Sequence, residues 1–561
     1  MSFVPRTPST FAAGRAILIF AAALAVTSCC GASGGRCAVT ISGASGAGAA
    51  TETQAAPNGR TPAETSAARK PLVTIPADTL HGHVIPDPYR WLEDFESQRA
   101  QRWIEEQEEA TRAILDNVAA RDSIRTKLGE LFEIPHLGSV WLRGERLFLV
   151  KRGSDQEQPV LYVQEGAAGE PRKLIDPETL GNESPVTLDW WFPSEDGDLL
   201  AYGTSVGGSE RSTLRVLDVE TGDALPDTIP RTRMCSLSWT PDASAFYYTR
   251  FPAPGEVPDE ELFFHRKVYY HKLGTDYRGD PMVFGEGLDM RAWTGVSVST
   301  NGRFLIGYAY YGSSRNDLYV RDLEDEDGDW VPVVEGLDAR SYGIPIGNDF
   351  YMLTRLDAPN GRIVHVDLTN PDPSAWKVLV PESEHSIRSF AYADGRLLVN
   401  RLEDAHDRVD IFTEEGEHVD MLRLPDMASV ADWTADRRHP FVFLNLSSYL
   451  MPPTIVRHDL DTGLSSTHMA VEAPIDVSAY VTRQAWYPSR DGTMISMFLV
   501  HGRDIALDGE NPTILTGYGG FDIPMTPGFA RNRYLWLEQG GVYAVPNLRG
   551  GGEYGEEWHR A

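Results

Sequence analysis

Cysteine is scarce in this 561-residue chain. Cys29, Cys30, Cys37 and Cys235 are the only four, and three of them lie near the N-terminus. No disulfide framework and no C-x-x-C pair can be built from that set. Cys235, alone in the body, reads as a small buried apolar residue. Positive charge is also short: 51 Lys and Arg stand against 81 Asp and Glu, a net charge of −30. Such a surface repels phosphate backbones, which excludes nucleic acid as a partner. Its main consequence is solubility, with attraction of cationic peptides as a further reading. Metal-ligand spacing is missing as well. His81 and His83 form an H-x-H with no third ligand nearby in sequence, so no metal and no cofactor is expected. The glycine run at 549–552 has neither G-x-x-x-x-G-K-[ST] nor G-x-G-x-x-G spacing, and reads as a structural turn rather than a phosphate cradle.

The N-terminal apolar run at 17–26 is ten residues, too short to span a bilayer as a mature helix. It follows Arg6 and Arg15 with no acid between residues 1 and 16, and small residues come after it. That is the order of a secretory signal. Val26-Thr-Ser-Cys29 also resembles a bacterial lipobox, in which Cys29 would become the lipidated first residue. Residues 1–29 are therefore expected to be a signal with a lipobox. Residues 30–70, rich in Gly, Ala, Ser and Thr, are expected to be a flexible tether. The protein is expected to be exported, to the periplasm or as a membrane-anchored lipoprotein, and to touch a membrane only through that anchor.

What is present in quantity is aromatic and apolar material: 13 Trp, 22 Tyr and 21 Phe, with 42% hydrophobic residues overall. Three textures follow one another. Residues 71–135 hold a helical stretch over 95–118, with Trp103, Gln107, Ala110 and Ile114 on one face, and Pro135 closes this lead-in. From 136 to 458 short apolar runs alternate with turn residues. Four turn-then-strand units, at 194–202, 240–248, 299–307 and 393–399, place Asp, Asn or Gly before a hydrophobic strand. An all-β unit recurring every roughly 45–60 residues predicts propeller blades, about seven of them over this length; a β-sandwich array is the alternative. From 459 to 561 strands at 480–487, 493–500, 512–516 and 541–545 surround a helix-like 529–539. Two of these strands run into glycine-rich loops, as an α/β sheet begins. The 512–516 strand is expected to be buried.

Four segments, in order, resemble the prolyl oligopeptidase family: D-P-Y-R-W-L-E-D at 87–94, K-V-Y-Y-H-K-L-G-T-D at 267–276, G-Y-G-G-F at 517–521 and R-G-G-G-E-Y-G-E-E-W-H at 549–559. The resemblance covers about 71–561. It implies a seven-bladed β-propeller over an α/β-hydrolase domain of which only the N-terminal segment and first strands are present. It further implies a serine-type endopeptidase, a monomer that cuts short peptides after proline. An oligopeptidase that cuts after basic residues and a non-catalytic peptide-binding propeller are the alternatives; Phe521 after Gly-Gly favours the prolyl branch. On the family's pattern Tyr518 is the oxyanion donor and Phe521 lines the pocket for the proline ring.

The resemblance also implies an absence. The elbow pattern G-x-S-x-G occurs at 31–35, in the tether, and at 203–207, where the chain continues as a hairpin within the repeat region. Neither Ser33 nor Ser205 fits a nucleophile, and His559 belongs to the W-H segment rather than to a triad. Nucleophile, acid and base are all expected to be missing, with the sequence an incomplete record of a longer product or a naturally shortened protein. The chain as given is expected to be inactive.

Overall fold

The four predicted turn-then-strand units fall in four of seven similar sheets. A computed structural model describes residues 75–561 apart from 182–183 and 326, so the signal, Cys29 and the tether lie outside the described residues. Between 136 and 470 the chain forms seven antiparallel four-stranded sheets, each made of consecutive strands: blades 1 to 7 at 136–175, 186–229, 237–284, 293–334, 341–380, 386–422 and 429–470. The turn before the second strand is built by its own side chains. Ser194 Oγ accepts from Leu199 N at 3.0 Å and Ser299 Oγ from Phe304 N at 2.9 Å.

The second strand of a blade is buried on both faces, as in Phe304–Tyr310 and Phe441–Ser447, because a neighbouring blade covers each side. Hydrophobic cores therefore sit between blades. Phe148, Leu161 and Val163 of blade 1 meet Leu200 and Tyr202 of blade 2, and Phe304 and Ile306 of blade 4 meet Phe350 and Met352 of blade 5. Fourth strands lie outermost and are more exposed; even the apolar Val331–Val334 turns its first two residues to solvent. Ser465–Ala470 is almost wholly exposed, and this strand extends the propeller past the boundary expected at 458. Its Ser-Ser-Thr-His sequence lacks the apolar alternation of an inner strand.

Among the described residues no strand is exchanged to close the ring. Blade 7 meets blade 1 through Leu142 N, which donates to Thr434 Oγ1 at 2.9 Å, and Val140 N, which donates to Asp432 Oδ2 at 3.2 Å. Asn445 Nδ2 adds a bond to Gly138 O at 2.8 Å. Burial pushes the Asp432 carboxyl up, against the hydrogen bonds it accepts. The same junction seats the α/β part: Leu142, Leu147 and Leu149 share one core with Phe443, Phe498, Val500 and Tyr534.

The α/β part is a four-stranded sheet in the order Tyr480–Pro488, Met494–Gly502, Val542–Pro546, Thr513–Leu515, with the last two parallel. Thr513–Leu515 was expected to be buried. It is instead the edge strand, and Leu515 is largely exposed. The helix-like stretch shortens to Arg533–Leu537. At the N-terminal side His81 and Gly82 form the positive-φ turn of a hairpin, Ala77–Leu80 with His83–Pro86. Helix Gln98–Leu115 begins at Ser97, whose Oγ accepts from Ala100 N. Its predicted apolar face is not a buried one. Trp103 packs edge-on against Trp91 at 6.2 Å, but Ile114 is 71% exposed, because no described element covers that side of the helix. A second helix, Arg121–Phe132, joins the sheet side through Lys127 Nζ, 3.0 Å from Glu538 Oε2.

Candidate active site

Parallel strands Thr513–Leu515 and Val542–Pro546 end side by side, and each feeds a glycine-rich loop. In open α/β sheets the crevice beyond such carboxyl ends is where ligands bind. The ladder continues one step past the strands: Thr516 N donates to Ala544 O at 3.0 Å. The two loops then interlock. A Cβ on Gly519 would stand 2.7 Å from Leu548 Cβ and 2.8 Å from Arg549 O; one on Gly550 would stand 2.3 Å from Gly519 O. Only glycine lets the two backbones approach this closely.

This interlock fixes the residues that sequence reasoning singled out. Tyr518 and Phe521 project from the first loop, half exposed at 50% and 56%, with ring centroids 6.3 Å apart. Among the described residues the Tyr518 hydroxyl has no hydrogen-bond partner, so it is free to donate outward. Phe521 and Asp522 are consecutive non-glycine residues in the left-handed region, at φ 57° and 62°. Each such residue costs roughly 1–2 kcal/mol, so surrounding contacts must hold the step. Asp522 N donates to Gly550 O at 3.1 Å. His559 Nδ1 lies 2.8 Å from the same carbonyl, and its Nε2 lies 3.2 and 3.1 Å from the Ser313 and Ser314 hydroxyls of blade 4. Asp522 N also donates to His559 Nδ1 at 3.1 Å, so one backbone N–H is shared between the ring and the Gly550 carbonyl, and a ring with Nδ1 as acceptor donates from Nε2 to a serine hydroxyl.

Beneath the loops a buried polar network sets the second strand end. Ser496 Oγ donates to Asn547 Oδ1 at 2.9 Å, Tyr554 OH donates to Ser496 Oγ at 2.6 Å, and Asn547 Nδ2 donates to Met525 O at 2.8 Å. Met525 N donates to Glu553 Oε1 at 2.8 Å, and burial pushes that carboxyl up. Arg549 leaves the glycine run to bond Asp491 Oδ2 at 2.5 Å and Ser489 Oγ at 3.2 Å, across the turn between the first two strands. The run is thus a structural turn beside the crevice, as its spacing predicts.

The propeller supplies residues that sequence reasoning missed. Arg355, in the loop between the second and third strands of blade 5, places Nη1 2.8 Å from Asp522 Oδ2 and 2.7 Å from Glu556 Oε2. Arg340, in the preceding inter-blade loop, lies 3.4 Å from Asp522 Oδ2. Arg560 bonds Glu556 at 2.6 Å and Asp338 Oδ1 at 3.0 Å. Burial alone would raise the Glu556 carboxyl, but hydrogen bonds from Arg560 and Arg355 hold it below its ordinary value. A cavity of about 120 Å³ lies between these groups, lined by Arg340, Arg355, Arg388, Asp522, Pro524 and Gly552. The partners that cross between propeller and α/β part stand 167 to 222 positions apart, and no local sequence signal links them.

Ser205 lies at the end of a blade 2 strand, its hydroxyl bonded to Asp189 at 2.9 Å and to Thr187 at 3.0 Å. It is a satisfied blade residue. Cys235 is buried, and burial pushes its thiol up to about 11. Among the described residues no group of three or more His, Cys, Asp or Glu is placed to hold a metal.

Comparison with known proteins follows the same division. The family described as "Prolyl oligopeptidase, N-terminal beta-propeller domain" matches residues 72–470, and "Prolyl oligopeptidase family" matches 527–561. The prolyl endopeptidase of Elizabethkingia meningoseptica is 31% identical over 487 residues, 86% of this chain and 68% of that protein. A solved prolyl endopeptidase, from a study of inter-domain dynamics in catalysis and specificity, is 32% identical with a TM-score of 0.83, covering 87% of this chain and 72% of its own. Prolyl oligopeptidase B from Galerina marginata, bound to a 25-residue macrocyclization substrate, is 25% identical with a TM-score of 0.80, covering 87% and 72%. Its apo form gives 0.67, so the present structure is nearer in shape to the peptide-bound one.

Proposed function

The chain belongs to the prolyl oligopeptidase family, and from that premise we propose that residues 75–561 supply the gate and the carbonyl-polarising half of a serine-type endopeptidase acting on the carboxyl side of proline in short peptides. The observation that carries this is the pair Tyr518 and Phe521, exposed side by side at the carboxyl end of the parallel strands. In acyl transfer the carbonyl oxygen gains negative charge. A hydroxyl fixed in place by an interlocked loop stabilises that charge, typically by about 3 kcal/mol. The Phe521 face offers the proline ring an apolar wall. The propeller lies over the crevice through Arg355, Asp338 and the Ser313–Ser314 loop, and this cover favours short peptides over folded proteins.

On this reading residues 1–561 bind peptide without turning it over. Ser313 and Ser314 reach His559 Nε2, and Ser465 reaches His458 Nδ1. In neither ring does a carboxylate hold the other nitrogen, the arrangement that orients a catalytic base. Export with lipidation at Cys29, and a monomeric state, complete the proposal.

Titration of the full chain with a peptide ending in Gly-Pro tests it. Binding that Phe521→Ala weakens about tenfold, a loss of about 1.4 kcal/mol, supports the pocket. A peptide ending in Arg that binds more tightly than the proline peptide moves the reading to the basic-specific branch, which the net charge of −30 favours. Binding of neither overturns it. Hydrolysis of a Gly-Pro-chromophore substrate that survives Ser205→Ala overturns the absence of turnover.

A further inference from the structure

The Asp522 carboxylate has no hydrogen-bonding partner within its own domain among the described residues. Its Oδ2 is held by Arg355 at 2.8 Å and, more loosely, by Arg340 at 3.4 Å, both from the propeller, while Oδ1 is buried without a partner. The side chains are well covered, 5% exposed for Asp522 and 13% for Arg355. Asp522 is also the second of the two left-handed residues, and the first is Phe521. A strained step that presents a substrate-facing ring is therefore fastened by a charge on the other domain.

We propose that Arg355 is a positioning residue: when the propeller lies against the α/β part, it holds the Phe521–Asp522 step in its left-handed conformation and so sets the loop that carries Tyr518 and Phe521. The same Nη1 also reaches Glu556. One guanidinium thus ties together the loop at 517–522 and the start of helix Glu556–Arg560, whose His559 ring accepts from Asp522 N behind the step. Separation of the two parts removes the bonds from Arg355, Arg340 and the Ser313 and Ser314 hydroxyls at once, and leaves the step with contacts of its own domain, from Asp522 N to Gly550 O and to His559 Nδ1, both at 3.1 Å. Closure of the propeller and assembly of the peptide-binding loop become a single event. The consequence for substrates rests on the roles given above to Tyr518 and Phe521; the positioning itself does not.

Amide hydrogen exchange on the full chain tests it without any substrate, so a failure of the peptide-binding reading leaves this test intact. In Arg355→Met, segments 517–525 and 550–556 are expected to exchange at least about tenfold faster, while blade 5 strands Asp349–Thr354 and Arg362–Asp367 keep wild-type rates. Asp522→Asn, which tolerates the left-handed conformation, is expected to give an intermediate gain, and adding Arg355→Met to it much less than Arg355→Met alone. Arg355→Lys, which keeps the charge, is expected to restore part of the protection. Unchanged exchange at 517–525 in both single variants overturns the proposal. So does equal acceleration of the blade 5 strands, which would make Arg355 part of the blade's own packing.

Discussion

His271 Nε2 lies 2.9 Å from Asp227 Oδ1, with both side chains at or below 1% exposure, and the opposite ring nitrogen lies 3.0 Å from Asp280. Tyr248 OH and Gly274 N complete the cluster by donating to Asp280 and Asp227 at 2.8 and 2.6 Å. This gives a structural reason for the K-V-Y-Y-H-K-L-G-T-D segment: its histidine locks the third strand of blade 3 to blade 2. Burial alone would lower the imidazole pKa, but hydrogen bonds and charge from Asp280 and Asp227 hold it above the ordinary 6.5. A value higher in the folded state than in the unfolded chain stabilises fully below about 6.5 and fades as pH rises through the folded-state value. His271→Leu leaves two carboxylates without their cation and should cost about 3–5 kcal/mol in urea unfolding near pH 6. The gap between variant and wild type should narrow as pH rises; a constant gap up to pH of about 9 would show that the ring acts by packing alone.

Ring closure rests on side chains at one junction. Leu142 N is buried and donates to Thr434 Oγ1. Thr434→Val keeps the shape and removes the acceptor, so the orphaned N–H should cost about 1–2 kcal/mol in urea unfolding. Thr434→Ser keeps the hydroxyl and should recover most of it. Equal losses in the two variants would show that the methyl group, rather than the hydrogen bond, closes the ring.

The parts of this fold that could be read from sequence are those whose partners are local. The turns at Ser194, Thr240 and Ser299 bond to residues five positions on, so the residue types spell out the geometry. Blades 1 and 5 turn within two residues, Gly144-Glu145 and Gly347-Asn348, and lack that longer signature. The family segments located the Tyr518–Phe521 loop, because its glycines are required by close approach to a second recognisable glycine-rich segment, at Leu548 and Arg549. Arg355 was not legible: it is one arginine among many, and the two carboxylates that single it out lie in another domain. The exposed face of helix Gln98–Leu115 misled for a related reason, since periodicity reports an apolar stripe and not what covers it.

Gly519 is held by two backbones at once. At φ 65°, with Leu548 Cβ and Arg549 O both under 3 Å from an added Cβ, Gly519→Ala should cost about 2 kcal/mol or more and release protection at 517–522. Gly287 has a similar φ of 74° but open space around it. Gly287→Ala should cost about 1 kcal/mol, the conformational part alone. If the two alanines cost the same in thermal unfolding, interlocking of the loops contributes nothing.

Arg549 and Asp491 make the site's acid limit visible. The Arg549 hydrogen bond, helped by bonds from Thr493, holds the Asp491 carboxyl down to about 2 from an ordinary 3.8. A carboxyl depressed in the folded state stabilises above the unfolded value, and the contribution is lost as pH falls through the folded one. The window is therefore between about pH 4 and about pH 2. Both groups are solvent-facing, so the effect is small and screened by salt. Asp491→Asn should flatten the fall in melting temperature across this window at low salt, and Arg549→Met should flatten it similarly while also loosening the turn at 489–493. High salt should bring wild type and both variants together. A wild-type acid slope that neither substitution alters would place the acid-sensitive contact elsewhere, at the covered Glu556 carboxylate that Arg355 and Arg560 hold.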